Sequence, residues 1–151
     1  MRLTEFLNLS EKLERTVSDC YRKLASFCAK PAVRDKLNKI ADEEIRHANA
    51  IAAARSYARK MPVLFGEPIP PTSDLEAGLE AAKKLDRDIV DVASLRDKFR
   101  RLSLLESQFE KIHIDVSVDF KDERLKVLFQ NFSGDDKKHA ESLVEIMSRC
   151  P

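Results

Sequence analysis

The chain has 151 residues, with 27 Lys and Arg set against 26 Asp and Glu for a net charge of +1, and the two signs are interleaved along its length. Such a balance offers no basic patch for nucleic acid or a membrane surface, and neither partner is expected. Hydrophobic residues make up 43%, with three glycines and no tryptophan, a composition that suits one helix-rich domain over residues 1–151 rather than a sheet.

No apolar run approaches the roughly eighteen residues of a membrane span. The start, Met1 to Ser10, reads as an amphipathic helix rather than a signal segment. Cys20, Cys28 and Cys150 form no Cys-x-x-Cys pair, so neither a disulfide framework nor a thiolate metal site is indicated, and a cytoplasmic location is expected.

In chain order, apolar residues at steps of three and four predict a first helix from about Thr4 to Ala29. Lys30-Pro31 ends it, because proline disfavours helix in the residue before it and fits the first turn of the next. The second helix runs from Ala32 to Lys60, and so short a link forces an antiparallel hairpin. Met61 to Asp74 holds Pro62, Pro68, Pro70, Pro71 and Gly66 and reads as extended. Thr72, Ser73 or Asp74 can cap a short helix from about Leu75 to Asp86. Residues 61–94 together read as a crossover along the bundle. Ser94 with Asp97 can cap a helix from Leu95 to Phe120, and Lys121-Asp122 links it to the last one, Glu123 to Ser148. The expected class is all-α: a ferritin-like four-helix bundle of two helical hairpins joined by a long crossover containing a short helix.

Polar residues interrupt these apolar seams at repeating places. Val33, Leu37, Ile40, Glu44, His47 and Ile51 are matched, 92 residues on, by Leu125, Phe129, Phe132, Asp136, His139 and Leu143. The same offset pairs Glu14 with Glu106, each among apolar residues at helical spacing. The chain therefore reads as a duplicated hairpin. One inward acid on the first helix of each hairpin and one acid-x-x-His on the second make six candidate metal ligands: Glu14, Glu44, His47, Glu106, Asp136 and His139. Four buried carboxylates without a counter-charge would be costly, whereas two divalent ions balance them. Carboxylate with imidazole suits iron, manganese or zinc. The competing reading is a metal-free bundle whose acids are protonated or bonded to the histidines.

Glu14 with Tyr21 seven residues on, and Glu44-Ile45-Arg46-His47-Ala48, resemble the rubrerythrin branch of the ferritin-like family over all four long helices. The resemblance implies that Glu14 and Glu106 are terminal ligands of two iron ions, that Glu44 and Asp136 bridge them, and that His47 and His139 cap them. It places Tyr21 as a hydrogen-bonding neighbour of the ligands. The implied activity is a non-haem di-iron oxidoreductase reducing hydrogen peroxide or oxygen, in a homodimer. The chain departs from the pattern in three ways. Asp136 replaces a second Glu and is shorter by about 1.5 Å, one carbon–carbon bond. His113 stands where a second tyrosine is expected and can be a donor beside the ligands, an extra ligand or a core histidine. No rubredoxin-like module with paired Cys-x-x-Cys is present, so the electron donor is expected to be a separate protein.

Gly134 either permits closer approach of the last helix or simply weakens it. Asp135 is a possible substitute ligand one residue off the seam. Glu110 reads as solvated or as a neighbour of the ligands, and Glu43 as solvent-facing. Competing functions are iron handling, as a ferroxidase or store, and a non-catalytic helical module with a degenerate site.

Overall fold

The apolar seams become five helices in the computed structural model, which describes residues 3–60, 70–91 and 94–149. In order they are α1 Leu3–Ser26, α2 Pro31–Lys60, α3 Ser73–Asp88, α4 Leu95–Asp119 and α5 Glu123–Ser148. The described residues contain no strand, so the all-α expectation holds. No described helix is long and apolar enough to cross a membrane. The expected extended stretch over 61–69, and Cys150, lie outside the described residues.

Helix ends follow local chemistry. Helix α1 stops at Ser26, three residues short of the expected end, because the N–H groups of Phe27 and Cys28 bond to the carbonyls of Leu24 and Ala25 at 3.1 and 3.0 Å. This tighter turn brings Cys28 into the core at 5% exposure. Pro31 opens α2 at the position where its missing N–H costs nothing. At α4, Ser94 accepts from the Asp97 N–H as expected. At α5, Asp122 accepts from the N–H groups of both Arg124 and Leu125, a cap that the link Lys121-Asp122 already contained. Helix α3 begins after Thr72, whose side chain makes no capping bond.

The long helices pair as antiparallel hairpins. On α1 and α2, Arg55 bonds Asn8, Ser18 bonds the Ala41 carbonyl and Arg22 bonds Asn38, so residue numbers rise on one helix as they fall on the other. The second hairpin repeats the stitch. Ser18 Oγ donates to the Ala41 carbonyl at 2.9 Å, and Ser133 Oγ donates to the Glu110 carbonyl at 2.8 Å. Positions 18 and 110, and positions 41 and 133, are related by the 92-residue offset, with donor and acceptor exchanged.

Aromatic packing orients one hairpin on the other. Phe6 near the start of α1 meets Phe120, just past α4, and Phe129 on α5, with ring centroids 5.6 and 5.8 Å apart. Lys98 near the start of α4 lies over the Phe27 ring at the far end. The end of α2 and the start of α4 are therefore at opposite ends of the bundle, with α3 between them in sequence. Helix α3 packs on α1 and α4. The Cys20 thiol contacts the Ala82 carbonyl, Lys23 pairs with Asp86 at 3.0 Å, and Gly78 faces Phe109 and Ile112 on α4. A single apolar core drawn from all five helices results.

Candidate metal centre

Helical period places one acid of α1 and one of α4, and an acid with a histidine from each of α2 and α5, inside this core. Glu14, Glu44, Glu106 and Asp136 are each no more than 1% exposed, and His47 and His139 are 7% and 3% exposed. Their ligand atoms fall into two clusters, each with all atoms within 4.8 Å of one another. One contains Glu14, Glu44 and His47, and the other Glu44, Glu106, Asp136 and His139. Glu44 belongs to both. All six expected residues thus converge, and as a group they can hold a metal ion.

The inner atoms have few protein partners. Both oxygens of Glu44, Glu14 Oε1, Glu106 Oε2, Asp136 Oδ1 and the Nδ1 atoms of His47 and His139 are buried without a hydrogen bond. His139 Nδ1 is 2.8 Å from Glu44 Oε1 but out of line for such a bond, and His47 Nδ1 is 3.5 Å from Glu44 Oε2. Unpaired buried polar groups of this kind are costly. Their convergence from four helices is the arrangement that a bound cation relieves, so the donor set fits a metal.

The outer atoms are held firmly. His47 Nε2 donates to Asp135 Oδ2 at 2.8 Å and His139 Nε2 donates to Glu43 Oε2 at 2.6 Å. These two bonds are exchanged by the internal repeat: each histidine, on α2 or α5, takes the carboxylate immediately before the inward acid of the other of these two helices. Glu43 is therefore not simply solvent-facing, and Asp135 lies outside both inner clusters and does not substitute for Asp136. Neither role was read from the seams, although the repeated acid-acid-x-x-His spacing of Glu43-Glu44-x-x-His47 and Asp135-Asp136-x-x-His139 carried the signal.

Tyr21 Oη donates to Glu106 Oε1 at 2.8 Å. His113, fully buried, donates from Nδ1 to Asp136 Oδ2 at 2.5 Å, with its Nε2 3.4 Å from Glu14 Oε1. Of the three readings open for His113, this contact makes it a donor beside the inner groups, and it belongs to neither cluster. Asp136 is placed in one cluster only, which departs from the expected bridging position. Glu110 is half-buried and offers its backbone carbonyl to Ser133. A Cβ on Gly134 would meet no atom within 4 Å, so close approach does not account for that glycine.

Without a cation the cluster can neutralise itself only with protons. Burial, then the Glu44 charge, pushes the carboxyls of Glu14, Glu106 and Asp136 well above the usual range. Burial opposes ionisation of Glu44 as well, but His139 and His47 outweigh it and hold that carboxyl well below the usual range. Burial would also lower the two imidazoles. The carboxylates of Glu14 and Glu44 instead push His47 up to about 12, and those of Glu106 and Glu44 push His139 up to about 11. His113 is lowered by its burial. Both readings of the sequence thus have a physical form here: a proton-filled cluster, and a cation-filled one that must first displace those protons.

Compared with family models, curated proteins and solved structures, the chain matches none.

Proposed function

We propose that this chain is a ferritin-like, rubrerythrin-type protein that holds two iron ions between its helical hairpins and uses them to reduce hydrogen peroxide or oxygen. The observation that carries the reading is the convergence of unpaired, buried carboxylate oxygens and two imidazole Nδ1 atoms on two clusters sharing Glu44. Carboxylate and imidazole donors favour iron or manganese chemistry over thiolate-based sites. Glu14, Glu44 and His47 would hold one ion, and Glu44, Glu106, Asp136 and His139 the other. Bound there, the iron pair would supply electrons to an oxidant.

The surrounding residues prepare that site. Asp135 and Glu43 fix the imidazole planes through Nε2, leaving Nδ1 as the inward atom. Their side chains are 41% and 29% exposed, so each also links a buried imidazole to solvent. Reducing peroxide to water consumes protons as well as electrons, and in this reading these two carboxylates would relay the protons. Tyr21 holds Glu106 in position. The buried ring of Phe132 lies 4.4 Å from His47 and packs against Phe129.

The test is anaerobic loading with ferrous iron followed by exposure to peroxide. Rapid reoxidation, followed by absorbance, is the expected result. Loaded protein that peroxide does not reoxidise would refute the oxidoreductase reading and leave metal binding alone.

A further inference from the structure

The internal repeat predicts two equivalent metal positions, yet the clusters differ. Glu44 is in both, while its repeat partner Asp136 is in only one. Two observations account for the difference. Asp136 is shorter than Glu by one carbon–carbon bond, about 1.5 Å. Its Oδ2 is also engaged by His113 Nδ1 at 2.5 Å, leaving only Oδ1 unpartnered. His113 itself has little freedom, being fully buried with the rings of Phe129 and Phe132 centred 5.7 and 5.6 Å away. In the first half of the repeat the same position is Tyr21, which bonds Glu106 and leaves both Glu44 oxygens free.

We infer that the two metal positions are unequal, a four-ligand position at Glu44, Glu106, Asp136 and His139 that fills first and a three-ligand position at Glu14, Glu44 and His47 that fills second, with His113 as the positioning residue that keeps Asp136 from bridging. The inference rests on the two-metal reading above. Each donor surrendered by the protein leaves a coordination place for water or an exogenous ligand. The three-ligand position is therefore where a small oxidant or inhibitory anion has room to enter, and the four-ligand position is the anchor.

Calorimetric titration of the metal-free protein with Co²⁺ tests this without recourse to catalysis. Wild type should take two ions in resolved steps at least tenfold apart in affinity. His47→Ala should lose the second step and keep the first within threefold, whereas His139→Ala should lose the tight step. Because His47 and His139 are equivalent in the repeat, a general loss of fold would abolish both steps in both variants, and circular dichroism identifies that case. His113→Leu frees Asp136 Oδ2 and should strengthen the second step at least threefold, and His113→Gln, whose amide can donate to the same oxygen, should restore wild-type behaviour. Two wild-type steps of indistinguishable affinity, or a tight step that vanishes in His47→Ala and survives in His139→Ala, would overturn the inequality while leaving the two-metal reading intact. An unchanged second step in His113→Leu would overturn the role given to His113. No Co²⁺ bound by wild type would defeat the underlying reading itself.

Discussion

His47 and His139 show how single residues divide their work between two sides. Each presents Nδ1 to buried carboxylates and Nε2 to a half-exposed one, Asp135 or Glu43. Losing such an outer partner typically costs 10–100-fold in metal affinity. Glu43→Gln and Asp135→Asn should therefore each weaken binding by about that factor, measured by competition with a chelator, whereas replacing exposed Arg46 should not. The protons on the inner atoms set the pH dependence. Their carboxylate neighbours push His47 and His139 up to about 12 and about 11 from the ordinary 6.5, so their contribution is complete below about 6.5 and is lost as pH rises toward those values. The raised carboxyls of Glu14, Glu106 and Asp136 act in the same direction, while Glu44, held low, is ionised in both states over this range and adds no slope. Metal-free protein should thus lose stability from about pH 6 to pH 9. Over the same range metal affinity should rise and loading should release protons, as recorded by thermal melts and by an indicator dye in weak buffer. The six inward groups were legible because period and repeat both fall on them. Glu43 and Asp135 were not, because a residue about 100° off the seam reads as solvent-facing until a histidine ring reaches it.

At the level of helices, the ends were legible wherever a side chain or a proline enforces them. Pro31, Ser94 and the link before Glu123 place three starts within a residue of expectation. The end of α1 was not, since nothing in Phe27 or Cys28 announces the tightened turn that buries the cysteine. The Asp122 cap closes two N–H groups at the start of α5. Asp122→Ala should cost about 1 kcal/mol in urea unfolding at neutral pH. Burial opposes ionisation of this carboxyl, but Arg124 and the α5 N–H groups outweigh it and hold the pKa below 3.8. The contribution is therefore present above that value and should fade as the pH falls through the lowered one. Gly134 is exposed mid-helix with open space at its Cβ. Gly134→Ala should raise stability by roughly 0.5–1 kcal/mol through helix propensity alone. Gly78 is the opposite case: an added Cβ would lie 3.1 Å from Ile112 Cδ1, so Gly78→Val should weaken the docking of α3 on α4.

Across the whole molecule, two antiparallel hairpins bring four helices to one centre from residues as far apart in sequence as Glu14 and His139. The pairing within each hairpin was legible from the two short links, Lys30-Pro31 and Lys121-Asp122. The inequality of the halves was not, because it turns on which oxygen of Asp136 His113 engages, a matter of side-chain placement that spacing does not encode. A cation that binds only the folded bundle stabilises it by mass action, about 2.7 kcal/mol at a hundredfold excess over Kd. The central claim is that the cluster is a two-metal site rather than a proton-filled core. Elemental analysis after anaerobic loading with ferrous iron and desalting tests it most directly. The account predicts two irons per chain in wild type and none in a protein carrying both Glu44→Ala and His139→Ala; wild type that retains no iron would contradict it.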